Sequence, residues 1–69
     1  MNLKDLRKQA GLSVKEVASK LNITPNALYN YENGYRGIPM FTAIVMAQVY
    51  GVSLEELAEA LPEIINTRQ

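Results

Sequence analysis

The 69-residue sequence predicts a compact, all-α fold of five short helices. Two observations carry this prediction: helix-capping signals recur along the whole chain, and the residues between them place apolar side chains at helical spacing. A third observation is that no stretch alternates apolar and polar residues as a half-buried strand does. Hydrophobic residues make up 48% of the chain, which is enough for one globular core.

The first two helices are delimited by cap signals. Asn2 is a candidate N-cap with Asp5 in the following turn, and Gly11 suits the left-handed residue that commonly follows a helix. Ser13 and Glu16 form an S-x-x-E capping box for the second helix. The apolar positions of that helix are Val14, Val17, Ala18 and Leu21. Asn22, which follows, can take the left-handed conformation that turns the chain.

The remaining three helices are marked in the same way. Thr24 caps the third helix, Pro25 occupies its first position, and Gly34 ends it. The fourth helix, over residues 39–50, is apolar on nearly every side, so we expect it to be central and buried. The fifth helix lies between the capping box Ser53/Glu56 and Pro62, with Leu54, Leu57 and Leu61 expected to face inward. We therefore expect one domain over residues 1–61 and a tail over residues 62–69.

The composition argues against several functional classes. The chain has no cysteine and no histidine, which removes disulfides, zinc-thiolate sites, the commonest metal ligand and the usual general base. We therefore predict no enzymatic activity, no metal, no cofactor and no small-molecule ligand. The sequence contains neither an apolar run of the ~20 residues that span a bilayer nor a signal-peptide core, so we expect a cytoplasmic protein without membrane contact.

Charge is distributed unevenly along the chain. The net charge is zero, but residues 1–36 carry six basic and three acidic side chains, while residues 37–69 carry one basic and four acidic ones. The two parts therefore have balances of +3 and −3. An excess of basic residues in one half is a weak indication of a polyanionic partner.

The stretch from Val14 to Asn33 is the most informative part of the sequence. Two short helices are joined by three residues, 22–24, and such a tight connection requires them to cross steeply, as in a helix-turn-helix unit. Ala18 supplies the small residue that lets the two backbones approach each other.

The wider sequence resembles the phage repressor and Cro-like family, the Xre-type regulators. The resemblance covers about residues 3–61 and is carried by Leu6-Arg7, Gly11-Leu12-Ser13, Val17-Ala18-Ser19-Lys20-Leu21, Ile23-Thr24, Tyr31-Glu32-Asn33-Gly34 and Tyr50-Gly51-Val52-Ser53-Leu54-Glu55-Glu56-Leu57. Three positions depart from the family pattern: Asn22 replaces a usual glycine, Pro39 is displaced by one residue, and Val14 replaces a residue that is often polar. The resemblance implies a lambda-repressor-like DNA-binding domain.

The resemblance also implies that the third helix is the recognition helix. The expected base-reading residues are Pro25, Asn26, Tyr29 and Asn30, and an asparagine can bond bidentately to adenine in the major groove. The expected phosphate contacts are Lys15, Lys20, Thr24, Asn33 and Arg36. Arg7 is expected to pair with Glu32 and fasten the recognition helix to the scaffold. Without the resemblance, Asn26, Tyr29 and Asn30 would be interpreted as a solvated helix face. Arg7 and Glu32 would be interpreted as two independent surface charges.

The expected partner is a double-stranded DNA operator, bound by a small prokaryotic or phage-encoded regulator, Cro-like and repressing. Family resemblance implies a homodimer, formed in solution or only on DNA, and the candidate contacts are Leu61, Ile64 and Ile65. Alternatively, one of the two isoleucines covers the domain's own core. A rival function is a helix-turn-helix module that binds protein, such as an antitoxin or anti-repressor partner, which the zero net charge favours.

Overall fold

The computed structural model describes residues 1–63, and five α-helices form there without any strand. The helices are α1 (Leu3–Gln9), α2 (Val14–Leu21), α3 (Pro25–Glu32), α4 (Met40–Tyr50) and α5 (Leu54–Ala60). The predicted all-α, five-helix architecture is confirmed. None of the helices described is long and apolar enough to cross a membrane.

Side-chain caps start four of the five helices, at the residues that the sequence predicts. Three are reciprocal capping boxes, in which each partner's side chain accepts from the other's backbone N–H: Asn2 with Asp5, Ser13 with Glu16, and Ser53 with Glu56. At α3 the Thr24 hydroxyl accepts a hydrogen bond from the Ala27 N–H at 3.1 Å. Each cap contributes about 1 kcal/mol, which matters because helices this short are unstable alone.

The turn between α2 and α3 has the left-handed conformation expected of Asn22, with φ 59° and ψ 44°. The N–H of Ile23 then donates to the carbonyl of Ala18 at 2.9 Å, which closes the end of α2. Because the chain reverses so quickly, α3 packs directly against α2. These two helices and their turn form the helix-turn-helix unit.

The core draws one fully buried large side chain from every helix: Leu3, Val17, Leu28, Met46 and Leu57. Helix α4 has the central position, since it contacts α1, α2 and α5. The helix-turn-helix unit therefore rests on a scaffold made by the other three helices.

One expectation about α4 is wrong. The helix buries a single side, through Ala43, Met46, Ala47 and Tyr50, rather than its whole surface. Met40, Phe41 and Ile44 are 69%, 77% and 39% exposed. The physical reason is the size of the domain: the other four helices, of 7 or 8 residues each, are too few and too short to surround α4.

The end of α5 also departs from expectation. Leu57 is buried, but Leu54 and Leu61 are 44% and 41% exposed and do not face inward. Helix α5 ends at Ala60, and Leu61 is extended at φ −69° and ψ 138° because the residue before a proline is disfavoured in the helical region. Leu61 therefore leaves the helix before it can reach the core.

The chain after α5 returns to the end of α3. Gly34 has φ +78°, and a Cβ built there would collide with the backbone carbonyl of Glu63 and touch the side chain of Pro62. The start of the predicted tail thus lies against the turn that follows α3. Ile64 and Ile65, predicted as dimer contacts, lie outside the described residues.

Candidate nucleic-acid interface

The outward face of α3 carries the residues predicted to read DNA bases. Leu28 and Tyr31 hold the opposite face in the core. Pro25, Asn26 and Tyr29 are exposed, and Asn30 is half-buried. We call these four residues, 25, 26, 29 and 30, the recognition face. It offers two amide side chains one helical turn apart to a partner.

The N-terminus of α3 is largely occupied by its own cap. Pro25 has no N–H, and the Thr24 hydroxyl accepts the hydrogen bond of Ala27. The amide that remains in the first turn to face an anion is that of Asn26. The backbone and side chain of Asn26 therefore reach solvent at the same end of the helix.

The C-terminal end of α3 is closed by Asn33. Its side-chain Nδ2 donates to the carbonyl oxygen of Tyr29 at 2.8 Å, and its backbone N–H donates to the same carbonyl at 3.1 Å. Asn33 is a predicted phosphate contact, but its side-chain amide also has a structural role, because it donates to the carbonyl of Tyr29. The same bonds fix the backbone beneath the recognition face.

Tyr35 had no role in the sequence-based prediction, yet it lies beside Tyr29. The two ring centroids are 6.3 Å apart with an interplanar angle of 47°, and the side chains are 57% and 53% exposed. The signal that could have identified Tyr35 is its position directly after α3, between the turn glycine Gly34 and Arg36.

Arg7 of α1 and Glu32, the last residue of α3, form a buried ion pair. Arg7 Nε lies 2.8 Å from Glu32 Oε2, Nη2 lies 3.5 Å from Oε1, and the two side chains are 9% and 6% exposed. Arg7 Nη1 also donates to the carbonyl of Leu12 at 3.4 Å. The arginine thus ties α1, the loop before α2 and the end of α3 together.

The hydroxyl of Tyr50 is buried near this pair. Burial, and then the negative charge of Glu32, raise the pKa of Tyr50 to about 12. The hydroxyl has no hydrogen-bond partner among residues 1–63. Because the phenol stays neutral at physiological pH, the buried charges in this part of the core are those of Arg7 and Glu32.

The predicted phosphate contacts on α2 are exposed cations on one shallow depression. Lys15 and Lys20 line it together with Glu16 and Ser19. Hydrogen bonds from the Ser13 backbone and side chain, and then the charge of Lys20, hold the pKa of Glu16 below its ordinary value of 4.5. This part of α2 therefore presents two positive charges and one negative charge.

Arg36 and Leu61 border one cavity of about 220 Å³. It lies between the loop after α3 and the chain after α5, and Tyr31, Gly37, Ile38 and Pro62 complete its lining. A predicted phosphate contact and a predicted dimer contact are therefore neighbours. No cluster of acidic, cysteine or histidine side chains that could hold a metal occurs within residues 1–63.

A family profile described as helix-turn-helix matches residues 3–57, from the first residue of α1 to the middle of α5. This chain belongs to the helix-turn-helix family. The match includes Arg7, Glu32 and every predicted DNA contact between Lys15 and Arg36, and it ends before Leu61.

Two regulators resemble this helix-turn-helix chain. The HTH-type transcriptional regulator ImmR of Bacillus subtilis (strain 168) is 44% identical over 55 residues, which are 80% of this chain and 43% of ImmR. TK0539 of Thermococcus kodakarensis, named as an HTH-type transcriptional regulatory protein, is 32% identical over 59 residues, 86% of this chain and 19% of that protein. The chain therefore spans less than half of either relative. No solved structure matches it at a significant level.

Proposed function

We propose that this protein binds double-stranded DNA sequence-specifically as a small transcriptional regulator, with α3 in the major groove. The observation that carries the proposal is the construction of α3. Its recognition face is exposed at Pro25, Asn26 and Tyr29 and half-buried at Asn30. Its other side is buried through Leu28 and Tyr31, and its end is fastened by the Arg7–Glu32 pair. A reading helix needs such rigid support, because base contacts require side chains held in one position. The relatives named as transcriptional regulators support the same function.

The recognition face would supply the base contacts. Asn26 and Asn30 are one turn apart and each can form paired hydrogen bonds with adenine, while Pro25 and Tyr29 offer apolar surface to a thymine methyl. The phosphate contacts in this proposal are Lys15, Lys20, Thr24, Asn33 and Arg36. Repression in a Cro-like manner, in the prokaryotic cytoplasm where nucleoid or phage DNA is accessible, belongs to the same proposal.

We also propose a symmetric dimer, because one helix-turn-helix unit reads only a few base pairs and two half-sites lie about 34 Å apart. Its surface would be the α4–α5 apolar face, defined as Met40, Phe41, Ile44, Leu54 and Leu61. Between the two helices lies an apolar groove of about 310 Å³ that Met40, Leu54 and Leu61 line. Phe41, the neighbour of Met40 in the chain, is 77% exposed. Exposed apolar side chains around an apolar groove suit a two-fold contact between identical surfaces.

We propose a second copy of this chain as the occupant of this groove. Leu61 lines the groove, but Pro62 and Glu63 lead away from it to Gly34. Ile64 and Ile65 remain part of the dimer proposal from sequence alone. Sedimentation of Phe41→Ser, with and without DNA, tests the contact, since Phe41 is too exposed for its loss to unfold the chain. An unchanged dimer would contradict this choice of surface.

The experiment that tests DNA binding is selection of duplexes from a random pool, followed by affinity measurement on the enriched sequence. Asn30→Ala should weaken binding to that sequence by about 1–3 kcal/mol and relax preference at one base pair. Gln48→Ala, an exposed amide on α4, is the matched control and should change nothing. Failure of the wild-type protein to enrich any sequence, or identical behaviour of the two variants, would count against α3 as the reader.

The second candidate function is a module that binds another protein. The exposed α4–α5 apolar face and the zero net charge favour it. The two functions separate by salt dependence: contacts to phosphates make the affinity for DNA fall steeply as salt rises, and an apolar protein contact lacks this dependence.

A further inference from the structure

Tyr29 and Tyr35 form an aromatic pair that the core does not need. Each ring packs against the other at a centroid separation of 6.3 Å, yet more than half of each side chain remains exposed. Two adjacent exposed tyrosines are unfavourable as plain surface, because they leave apolar ring area in water. Tyr29 belongs to the recognition face and Tyr35 lies beside it, so a partner bound to that face would cover both rings.

The backbone under both rings is held rigidly. The N–H of Tyr35 donates to the carbonyl of Asn30 at 3.0 Å, and the left-handed turn at Gly34, with φ +78°, brings Tyr35 back over the end of α3. On the other side, Asn33 binds the carbonyl of Tyr29 at 2.8 Å. Tyr35 is thus placed by α3 itself, although it lies outside the helix.

The chemistry of this pair suits the sugar–phosphate backbone of DNA. A phenol hydroxyl donates a hydrogen bond to a phosphate oxygen, and tyrosine is among the side chains that make such contacts. A tyrosine has only two side-chain torsions, and the neighbouring ring already restricts them, so little entropy is lost on binding. Arg36 is exposed at the next position and adds the positive charge that a phosphate attracts.

We propose that Tyr35, paired with Tyr29, is a DNA-contacting residue whose hydroxyl binds a backbone phosphate and so sets the register of α3 in the groove. This inference rests on the proposed DNA-binding function. Tyr29 has two roles in this proposal: its ring packs against Tyr35, and its exposed part belongs to the recognition face. The contact is with phosphate, so it strengthens binding to every sequence alike.

The test compares three variants that each remove one hydroxyl and keep the ring. Tyr35→Phe should weaken binding about tenfold, as expected for a hydrogen bond to a charged group. The loss should be equal on the duplex selected from the random pool and on an unrelated duplex of the same length. Tyr29→Phe shows whether its hydroxyl shares the contact. Tyr50→Phe is the matched control, since that hydroxyl is buried, and its affinity should equal that of the wild type.

Salt dependence separates this contact from a charged one. Tyr35→Phe removes no charge, so the slope of affinity against salt should stay as in the wild type, whereas Arg36→Gln should reduce it by about one unit. Replacing single phosphates by methylphosphonate then locates the contact. One replacement should weaken the wild type and leave Tyr35→Phe unchanged. Tyr35→Ala should lose more than Tyr35→Phe, because it also removes the support of Tyr29.

The possible failures are distinguishable. If the wild type binds DNA and Asn30→Ala weakens it, but Tyr35→Phe and Tyr35→Ala bind as the wild type does, this inference is wrong and the proposed function stands. A loss for Tyr35→Phe on the selected duplex alone would also overturn it, since that is base reading. If the wild type binds no duplex at low salt, both proposals fail together.

Discussion

Arg7→Ala tests how much of the fold depends on the buried ion pair. The guanidinium and the carboxylate of Glu32 are 9% and 6% exposed, with Nε and Oε2 2.8 Å apart. Removing the arginine leaves the Glu32 carboxylate buried without its partner, beside the Tyr50 hydroxyl, which has no hydrogen-bond partner among residues 1–63. Losing one member of such a pair costs about 3–5 kcal/mol of unfolding free energy.

The size of the domain makes this loss decisive. At about 0.05–0.15 kcal/mol per residue, a chain of 69 residues has roughly 3–10 kcal/mol of stability in total. We therefore expect Arg7→Ala to be largely unfolded, or to unfold at a much lower urea concentration, when followed by circular dichroism. The double variant Arg7→Met/Glu32→Leu should recover most of the loss, because neither charge is then stranded.

Lys8→Ala is the control, because Lys8 is an exposed cation on the same turn of α1. Its unfolding free energy should change by less than about 0.5 kcal/mol. If Arg7→Ala also changed stability by less than about 1 kcal/mol, the pair would be contributing no more than a surface ion pair does, and the reasoning from burial would be refuted.

Four further predictions concern stability. Asn22→Ala should lower the unfolding free energy by about 1 kcal/mol, whereas Asn22→Gly should be close to neutral, because residue 22 has a φ of 59°. Equal effects of the two variants in thermal melting would contradict this interpretation of the turn. Gly34→Ala should destabilise the fold more than Gly11→Ala does. The two glycines have similar φ values, +78° and +74°, but only Gly34 has the Glu63 carbonyl against it. Truncating the chain after Leu61 should therefore remove the difference between the two variants. Tyr50→Phe should leave the unfolding free energy unchanged or raised at neutral pH, and it should lack the loss of stability that the wild type shows in alkali. The pKa of Tyr50 is about 12 in the folded protein and 10.0 ordinarily, so the stability linked to its neutral phenol is complete below pH 10 and disappears as the pH rises towards 12. The pKa of Glu16 is lowered in the folded protein, so its contribution to stability is present above pH 4.5 and is lost as the pH falls through the pKa of the folded protein. In urea titrations, Glu16→Gln should therefore lose less stability in acid than the wild type does.

The elements that sequence analysis predicted well are those decided by neighbouring residues. A capping box needs side chains three residues apart, so Ser13/Glu16 and Ser53/Glu56 are visible in the sequence itself. The left-handed turn at Asn22 is likewise a local preference. The outward position of Pro25, Asn26 and Tyr29 followed from the same reasoning, since the helix start and its apolar positions determine which residues face outward. Their role in reading bases came from the family resemblance and stays a prediction.

The features that the sequence did not reveal depend on contacts that helical periodicity does not encode. Whether Phe41 is covered depends on how many helices reach α4, and helical spacing carries no such information when nearly every position is apolar. The contact of Glu63 with Gly34 joins residues 29 positions apart. Tyr35 required the shape of the turn before its nearness to Tyr29 could be known. Each of these is a tertiary fact without a periodic signal.

The contact at Gly34 has a practical consequence for attaching anything to this protein. The chain leaves the described structure beside the turn that ends α3, so a fluorophore or tag joined just after Glu63 would sit within reach of the proposed DNA-binding side. Met1 instead lies near Leu6, Glu56 and Glu59, in the region of α1 and α5. An N-terminal label is therefore the better choice for binding measurements, and a label joined just after Glu63 can report occupancy of the recognition face.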